Sequence, residues 1–361
     1  MNLEDKIFVA GHRGLVGSAI KRCLEQKGYS NIVVRTHQEL DLLDAVAVDH
    51  FFDEERPQYV FLAAAFVGGI MANSKRRADF IYRNLGIQQN VIGSSYKYKV
   101  KKLLFLGSTC IYPGNAPQPM KEDVLLTSEL EYTNEPYAIA KIAGLKMCES
   151  FNLQYGTNYL AVMPTNLYGP NDNFDLVSGH VLPAMIRKMY LAKLLFEGDY
   201  EALKRDLAKR PLPNLDIEVA SNHEIAEILN SYGIFADRLE LWGSGTPLRE
   251  FLWSEEMADA SVYVMEHVDF KDLIKDKERD IRNCHINIGT GKELTIAQLS
   301  ELVKKAADYK GRIVFDKTRP DGTMRKLTDP GLIQSLGWHH KIEIEDGVPR
   351  LYNWYIDSIA D

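Results

Sequence analysis

The chain has 361 residues, of which 45% are hydrophobic, and a formal net charge of −7 at pH 7. This length and composition predict a globular protein with a substantial core, built as one large domain or two closely joined domains. The negative charge and the lack of a dense Lys/Arg block argue against nucleic acid as a main partner. No apolar stretch approaches the roughly 18 residues of a membrane span, so we expect no membrane partner.

The cysteines predict neither a metal site nor a disulfide framework. The four of them lie at positions 23, 110, 148 and 284, without a C-x-x-C pair or the spacing of metal ligands. The first residues, Met-Asn-Leu-Glu-Asp-Lys, lack the apolar segment of a signal peptide. We therefore expect a cytoplasmic protein.

The first predicted element is a strand at 7–10, which a glycine-rich turn joins to a helix at about 15–27. The turn reads G-H-R-G-L-V-G and has the extended G-x-x-G-x-x-G spacing of a dinucleotide fingerprint. Glycines allow the sharp turn and the close approach of a pyrophosphate, and the N-terminus of the helix offers its N–H groups to the anion. We therefore expect a nucleotide to contact Gly11, His12, Arg13, Gly14, Leu15, Val16 and Gly17.

The end of the second predicted strand, at 31–34, indicates which nucleotide is bound. An acidic residue at this position usually bonds the ribose of NAD, whereas a cation suits the 2′-phosphate of NADP. Here Arg35 ends the strand, and Arg13 supplies a second cation from the glycine turn. The pattern favours NADP, although Arg35 could be only a solvated strand end and Asp41 could contact the adenine or ribose instead.

Strands and helices continue to alternate over the first 170 residues. Further strands are predicted at 59–63, 103–107 and 159–163, and further helices at about 44–53, 77–97 and 135–155. This alternation is typical of an α/β fold with a doubly wound parallel sheet of the Rossmann type. Because ligands bind such sheets beyond the carboxyl ends of the strands, the expected cofactor contacts there are Leu106, Gly107, Pro164, Asn166 and Leu167.

Tyr137 and Lys141 stand four residues apart in the helix predicted at 135–155, so both lie on one face. A phenol with its ordinary pKa of about 10 is a poor acid–base catalyst at neutral pH unless a cation stabilises the phenolate. We therefore expect Lys141 to lower the pKa of Tyr137. The alternative is a surface tyrosine and lysine, because Y-x-x-x-K occurs often by chance.

Beyond residue 170 the pattern becomes irregular and more charged. The segment 196–239 is rich in charged residues, and Ser221 is placed to cap a helix within it. We interpret this segment as a helical surface insertion without chemistry; a lid or a subunit contact is the alternative. Residues 1–170 are expected to form an NADP-binding domain, to which a segment at about 240–290 returns, and 171–361 mainly a smaller α+β substrate-binding domain.

Several motifs, taken in order, resemble those of the extended short-chain dehydrogenases/reductases and, within them, of the GDP-L-fucose synthase family. They include G-H-R-G-L-V-G-S-A-I, L-F-L-G-S-T-C-I-Y-P, N-E-P-Y-A-I-A-K-I-A-G and M-P-T-N-L-Y-G-P-N-D-N-F. The matching motifs span nearly all of the chain except 196–239. This resemblance implies an NADPH-dependent 3,5-epimerisation and 4-reduction of GDP-4-keto-6-deoxy-D-mannose to GDP-L-fucose, by a homodimer.

The resemblance also implies the catalytic residues. Cys110 and His180 are expected to be the base and the acid of the epimerisation, since a thiol and an imidazole titrate close enough to neutrality to exchange protons. Tyr137 is expected to give the proton in the reduction, with support from Ser108 and with Lys141 holding the nicotinamide ribose. From the residue types alone, Cys110 could equally be a small buried apolar side chain and His180 a structural histidine.

The expected contacts to the GDP-sugar are also carried over from the family, and His180 is expected to contact the cofactor as well. The substrate contacts are Asn166, Lys188, Trp242, Arg249, Asp321 and Lys326. Lys188 stands where the family tends to have Arg, which gives up bidentate phosphate binding. The alternative function is another nucleotide-sugar epimerase or dehydratase of the same superfamily, against which Arg35 and the Cys110/His180 pair argue.

Overall fold

A computed structural model describes residues 1–275, 280–319 and 321–360; residues 276–279, within the segment expected to return to the first domain, lie outside the described residues. The chain divides into two compact units. The first unit comprises Met1–Leu167, Glu250–Lys292 and Leu327–Lys341, and the second comprises Tyr168–Arg249, Glu293–Lys326 and Ile342–Asp361. Each unit is described below by itself.

The first unit contains a parallel sheet. Its strands are β1 (Ile7–Ala10), β2 (Ile32–Val33), β3 (Tyr59–Leu62), β4 (Lys102–Leu106), β5 (Tyr159–Pro164) and β10 (His285–Ile288). They lie in the order β10-β5-β4-β3-β1-β2, so the direction of winding reverses between β1 and β3. The predicted Rossmann-type α/β fold is confirmed, and the first five strands lie where the sequence placed them. Strand β10 was not predicted.

Helices cover both faces of this sheet. They are α1 (Leu15–Gln26), α2 (Ala45–Glu55), α3 (Ile70–Lys75), α4 (Arg77–Lys97), α5 (Glu135–Tyr155), α9 (Ser254–His267) and α11 (Gly331–Ser335). Alternate residues of β1 enter different cores, because successive side chains of a strand point to opposite faces. Ile7 and Val9 pack with α1 and α9 residues, whereas Phe8 and Ala10 pack with residues of α2, α4 and α5.

The second unit combines helices with short strands. Its strands are β7 (Arg238–Trp242), β8 (Leu248–Arg249), β11 (Leu294–Thr295), β12 (Arg312–Asp316) and β13 (Arg325–Lys326), and its helices are α6 (Val181–Glu197), α7 (Tyr200–Lys209), α8 (Asn222–Ser231), α10 (Ile296–Ala307) and α12 (Ile344–Ala360). Strands β7 and β12 pair, and β8 lies between β11 and β13. Two further strands, β6 (Asn166–Tyr168) and β9 (Phe251–Trp253), adjoin points where the chain passes between the units.

The charged segment 196–239 contains α7 and α8. Helix α8 begins with a capping box in which Ser221 and Glu224 bond each other's backbone N–H groups, so the predicted cap is confirmed. A buried ion pair joins α7 to α6, with Arg187 Nη2 2.9 Å from Asp206 Oδ1. The segment is therefore packed into the second unit rather than attached as a free appendage.

Among the described residues, no helix is both long enough and apolar enough to cross a membrane.

Candidate active site

The glycine turn between β1 and α1 requires glycine for two different reasons. Gly11 has φ +86°, in the left-handed region, and a Cβ added to Gly17 would lie 2.1 Å from the Gly11 carbonyl oxygen. These two glycines let the helix start directly against the strand. A Cβ added to Gly14 would meet nothing closer than that oxygen at 3.5 Å. Gly14 therefore leaves open space over the first turn of α1, where Leu15 and Val16 lie.

The same turn has the features of a dinucleotide site. Gly14 is the N-cap of α1 and no side chain caps the helix, so its N-terminal N–H groups are available to an anion. The Nδ1 atom of His12 is buried without a hydrogen-bond partner. Burial and the neighbouring Arg13 both lower the pKa of His12. An uncharged imidazole with an unused polar atom, beside the exposed Arg13, fits a bound phosphate-bearing ligand.

Arg35 lies at the end of β2, as predicted, but it is already paired. Its guanidinium is 2.5 Å from Glu55 Oε1, donates to the Val34 carbonyl at 2.8 Å, and lies 5.3 Å from the centre of the Phe51 ring. Glu55 would therefore compete with a 2′-phosphate for this cation. Asp41 accepts the Leu43 N–H at 3.0 Å, and its side chain is about half exposed.

Ser108 and Cys110 lie in the turn that follows β4. Ser108 is extended, with φ −165°, and its Oγ accepts the N–H of Cys110 at 3.3 Å. The next residues form a single 3₁₀ turn at Thr109–Ile111, and Cys110 is 9% exposed. A Cβ at Gly107, just before this turn, would lie 2.2 Å from Met163 Sδ, so a larger residue there requires the Met163 side chain to move.

Tyr137 and Lys141 face this turn from the first turns of α5. Lys141 Nζ donates to the Leu106 carbonyl at 2.7 Å and lies 5.7 Å from the centre of the Tyr137 ring. Cys110 interacts electrostatically with both side chains. The structure thus brings Cys110, Tyr137 and Lys141 together at the carboxyl end of β4, beside Ser108.

Burial controls the protonation of this cluster. Burial raises the pKa of Tyr137 well above its ordinary value, and the nearby Cys110 raises it further. Burial lowers the pKa of Lys141 to about 8, against the opposing effect of Cys110. Desolvation therefore outweighs any effect of the lysine on the phenol, contrary to the sequence expectation. One reason is that the ammonium is directed at the carbonyl of Leu106.

The end of β5 supplies the last part of the first unit's site. Pro164 ends the strand, and Asn166 donates through Nδ2 to the Glu250 carbonyl at 2.8 Å, next to Leu167. Between them, the hydroxyl of Thr165 is buried without a partner. Thr165 was not predicted as a contact, although its position between Pro164 and Asn166 at a strand end was a usable signal.

His180 and Lys188 both belong to α6 of the second unit. His180 is the N-cap of α6, its side chain is 58% exposed, and its Nδ1 lies 4.0 Å from Oδ1 of the buried Asp172. Lys188 Nζ donates to the Tyr232 carbonyl at 2.8 Å, at the end of α8, and burial lowers the pKa of this lysine to about 8.

The remaining predicted substrate contacts also lie in the second unit. Arg249 and Lys326 are paired residues on the parallel strands β8 and β13, so their side chains leave the sheet on one face. Asp321 accepts hydrogen bonds from the N–H and hydroxyl of Ser244, at 2.8 and 2.7 Å. Trp242 is 64% exposed. Cations and an exposed indole suit the phosphates and the base or sugar of a nucleotide sugar.

In the described part of the chain, no three His, Cys, Asp or Glu side chains are grouped as a metal site.

The parallel sheet, the open glycine turn and the serine–tyrosine–lysine group, in which the lysine is buried, define a dinucleotide-dependent enzyme. A model of the NAD dependent epimerase/dehydratase family matches residues 7–211 and 219–289. The chain belongs to this family. The expected superfamily, that of the extended short-chain dehydrogenases/reductases, is thereby confirmed.

Individual relatives match the chain almost from end to end. The GDP-L-fucose synthase of Escherichia coli (strain K12) is 46% identical over 355 residues, which cover 98% of each chain. A Campylobacter jejuni GDP-D-glycero-L-gluco-heptose synthase, solved in the presence of NADPH, is 45% identical with a TM-score of 0.91 over 98% of this chain and 99% of that one. A GDP-6-OMe-4-keto-L-xylo-heptose reductase from C. jejuni is 46% identical with a TM-score of 0.92 over 99% of both.

Proposed function

We propose that this protein is an NADPH-dependent enzyme of GDP-sugar metabolism that epimerises GDP-4-keto-6-deoxy-D-mannose at carbons 3 and 5 and reduces carbon 4, giving GDP-L-fucose. One observation carries the proposal: a buried thiol, Cys110, lies beside the half-buried Tyr137 and the buried Lys141. A reductase of a ketone needs only the phenol and the lysine. A proton-exchanging thiol beside them suits an enzyme that also inverts the carbons next to the ketone.

The cofactor is NADPH, in whose presence the C. jejuni heptose synthase was solved. When bound, NADPH supplies the hydride for the reduction. The residues that would hold it are those of the glycine turn, with the N-terminus of α1 toward the pyrophosphate and Arg13 and Arg35 toward the 2′-phosphate. The buried hydroxyl of Thr165, which has no partner, is a further candidate contact.

In the epimerisation, the ketone at carbon 4 acidifies the C–H bonds at carbons 3 and 5. The thiolate of Cys110 would remove a proton, and His180 would return one from the opposite face. Asp172 lies on the Nδ1 side of His180, 4.0 Å away. An Nδ1–H directed at this carboxylate leaves Nε2 to exchange the proton with the sugar.

In the reduction, Tyr137 gives its proton to the oxygen on carbon 4. The raised pKa of Tyr137 suits this direction, because burial keeps the phenol protonated at neutral pH until the oxygen gains negative charge. Ser108 would hydrogen-bond the same oxygen, and the ammonium of Lys141 would stabilise the charge and bind the nicotinamide ribose. Asn166 would complete the pocket from the end of β5.

Substrate recognition is assigned to the second unit and cofactor binding to the first. Lys188, Arg249 and Lys326 would meet the diphosphate, and Trp242 the base or sugar. Asp321, which bonds Ser244, would hold the loop next to Trp242 in place.

We further assign homodimer formation to the outer face of α4 and α5. Tyr96 and Tyr155 stack there with ring centres 4.4 Å apart, and both are exposed, as is Leu153. An exposed apolar and aromatic face of this kind is typical of a protein contact.

A second candidate function is the reduction of carbon 4 in a GDP-linked keto-heptose. The two C. jejuni structures favour it, because they are 45% and 46% identical to this chain and the E. coli fucose synthase is 46% identical to it. The two candidates share the cofactor, the nucleotide and the reduced carbon. They differ in the sugar that the second unit would have to accept.

The experiment that tests the proposal supplies purified protein with NADPH and either GDP-4-keto-6-deoxy-D-mannose or a GDP-4-keto-heptose, in deuterated water. The proposal predicts net NADPH consumption with the deoxymannose and deuterium at carbons 3 and 5 of the product. Reduction of the heptose alone would select the second candidate. Turnover of neither, with cofactor bound, would contradict both.

A further inference from the structure

The turn that holds Cys110 is fixed at both ends. At its start, Ser108 follows β4 and its Oγ accepts the Cys110 N–H at 3.3 Å. At its end, Tyr112 is 3% exposed and returns to extended backbone, with φ −79° and ψ 149°. Its side chain packs away from solvent.

The Tyr112 hydroxyl reaches two buried polar side chains of β10. It donates to Asn287 Oδ1 at 2.5 Å and lies 2.9 Å from His285 Nε2. His285 and Asn287 are two residues apart on one strand, so both side chains point to the same face. Both are fully buried.

The direction of these hydrogen bonds follows from the other partners of Asn287. The amide nitrogen of Asn287 donates to the Met120 carbonyl at 3.0 Å and the Asp329 carbonyl at 3.4 Å, which turns its oxygen toward Tyr112. The hydroxyl has one proton and gives it to that oxygen. The Tyr112 oxygen must then accept from His285, so the imidazole carries its proton on Nε2.

From this network we infer that Tyr112, held by His285 and Asn287, is a positioning residue that fixes the Cys110 thiol against the substrate. Cys110 is separated from Tyr112 by a single residue, whereas Ser108 is held directly by the end of β4. Loss of the Tyr112 hydroxyl therefore loosens the thiol more than the serine. Placement errors of about 1 Å are enough to slow a proton transfer strongly. The inference rests on the proposed role of Cys110.

Strand β10 is also held through its backbone. The Asn287 N–H donates to Glu122 Oε1 at 2.9 Å. This bond ties β10 to the segment at Met120–Glu122, which also bonds Leu327 and Asp329 through the backbone of Met120. The partners of Tyr112 are thus fully buried, and Asn287 is hydrogen-bonded to several segments of the first unit, which is what a positioning group requires.

The test compares Tyr112→Phe with Tyr159→Phe in the full-length protein. Tyr159 is also buried in the first unit, but its hydroxyl has no partner, so its loss removes the same atom without a hydrogen bond. For Tyr112→Phe we expect solvent-deuterium exchange into the sugar to fall about tenfold or more, with a smaller loss of hydride transfer and an unchanged KM for the GDP-sugar. Tyr159→Phe should behave as wild type in all three.

A second readout does not need activity. The rate at which iodoacetamide alkylates Cys110, followed by peptide mass spectrometry, should change several-fold in Tyr112→Phe and stay at the wild-type value in Tyr159→Phe. If the wild type exchanges no deuterium into the sugar, the proposed function fails and this rate alone decides the positioning role. The inference is overturned if Tyr112→Phe loses deuterium exchange and hydride transfer equally while the alkylation rate of Cys110 is unchanged. Tyr112 would then only stabilise the fold.

If Tyr112→Phe does not fold, two variants at His285 test the same hydrogen bond. His285→Gln can still donate an amide N–H to the Tyr112 oxygen, so it should retain most of the exchange. His285→Leu cannot donate, and it should lose exchange as Tyr112→Phe does. Equal activities in the two His285 variants would contradict the inference.

Discussion

The two units of the chain differ in the surroundings of several candidate functional side chains, although burial also lowers the pKa of Lys188 in the second unit. In the first unit, Cys110 and Lys141 are buried, and desolvation moves the pKa of Tyr137 and of Lys141 in the directions that disfavour charge. In the second unit, Trp242 and Asp321 are exposed. The first unit is therefore suited to moving protons where water is excluded, and the exposed part of the second to recognising a charged ligand at a solvated surface.

The largest expected effect lies in the buried cluster. Tyr137→Phe removes the proton donor, so hydride transfer to the ketone should fall about 10³-fold, while deuterium exchange at carbons 3 and 5 continues. Stopped-flow measurement of NADPH absorbance gives the first rate and mass spectrometry the second. If Tyr137→Phe lost deuterium exchange as strongly as reduction, Tyr137 and Cys110 would not serve separate steps.

The effect of burial on protonation in the first unit can be tested through the stability of the protein, at Glu122. Burial raises the pKa of this carboxyl to about 7, with Asp329 and Asp123 adding to the shift. Because the folded-state pKa lies above the ordinary value, its contribution to stability is fully present below about pH 4.5 and is lost as the pH rises through about 7. Glu122→Gln, which keeps an acceptor for the Asn287 N–H, should therefore be more stable than wild type by about 3 kcal/mol at pH 8 and by little at pH 4.5.

Urea unfolding at the two pH values measures this difference. Glu129→Gln, a change at an exposed acid of the same region, should alter stability by less than about 0.5 kcal/mol at either pH. A Glu122→Gln protein that is less stable than wild type at pH 8 would show that the charged carboxylate is favoured, and that burial does not govern this part of the first unit.

In the second unit the expected effects are on binding. Arg249→Met removes a cation from the face that it shares with Lys326, so KM for the GDP-sugar should rise about tenfold, or about 1.4 kcal/mol, with kcat nearly unchanged. Arg312→Met is the matched control. Arg312 is an exposed arginine of β12 that forms an ion pair with Asp237. An equal rise in both variants would indicate a general charge effect instead of a recognition site.

The smallest effect is expected in the charged segment 196–239. Ser221→Ala removes half of the capping box of α8 and should lower the free energy of unfolding by about 1 kcal/mol, without changing kcat or KM. Thermal unfolding and steady-state kinetics are sufficient to check both. A fall in kcat would favour the alternative interpretation of the segment as a lid.

Much of the first unit could be predicted because its signals are local. The glycine turn is contiguous in sequence, and α4 and α5 have the bounds that helical periodicity placed at 77–97 and 135–155. The spacing of Tyr137 and Lys141 predicted that both lie on one face of α5, and the structure places the Lys141 Nζ 5.7 Å from the centre of the Tyr137 ring. Strand β10 was missed because His285 and Asn287 interrupt its apolar pattern, and their partner Tyr112 is remote in sequence.

The protonation of the site could not be read from the sequence either. The spacing of Tyr137 and Lys141 suggested that the cation lowers the pKa of the phenol. Burial, which depends on packing from many distant segments, raises it instead. The ion pair of Arg35 with Glu55 was likewise out of reach, because it joins the end of β2 to α2 across an intervening loop. Spacing locates a group of residues, but the surrounding packing sets its charge.

The measurement that tests the account most directly is the exchange of solvent deuterium into carbons 3 and 5 of GDP-4-keto-6-deoxy-D-mannose by Cys110→Ser. The account predicts that exchange falls at least about 100-fold while the dissociation constant for NADPH stays at the wild-type value. Exchange at the wild-type rate would contradict it, because the thiol beside Tyr137 and Lys141 would then have no part in the epimerisation.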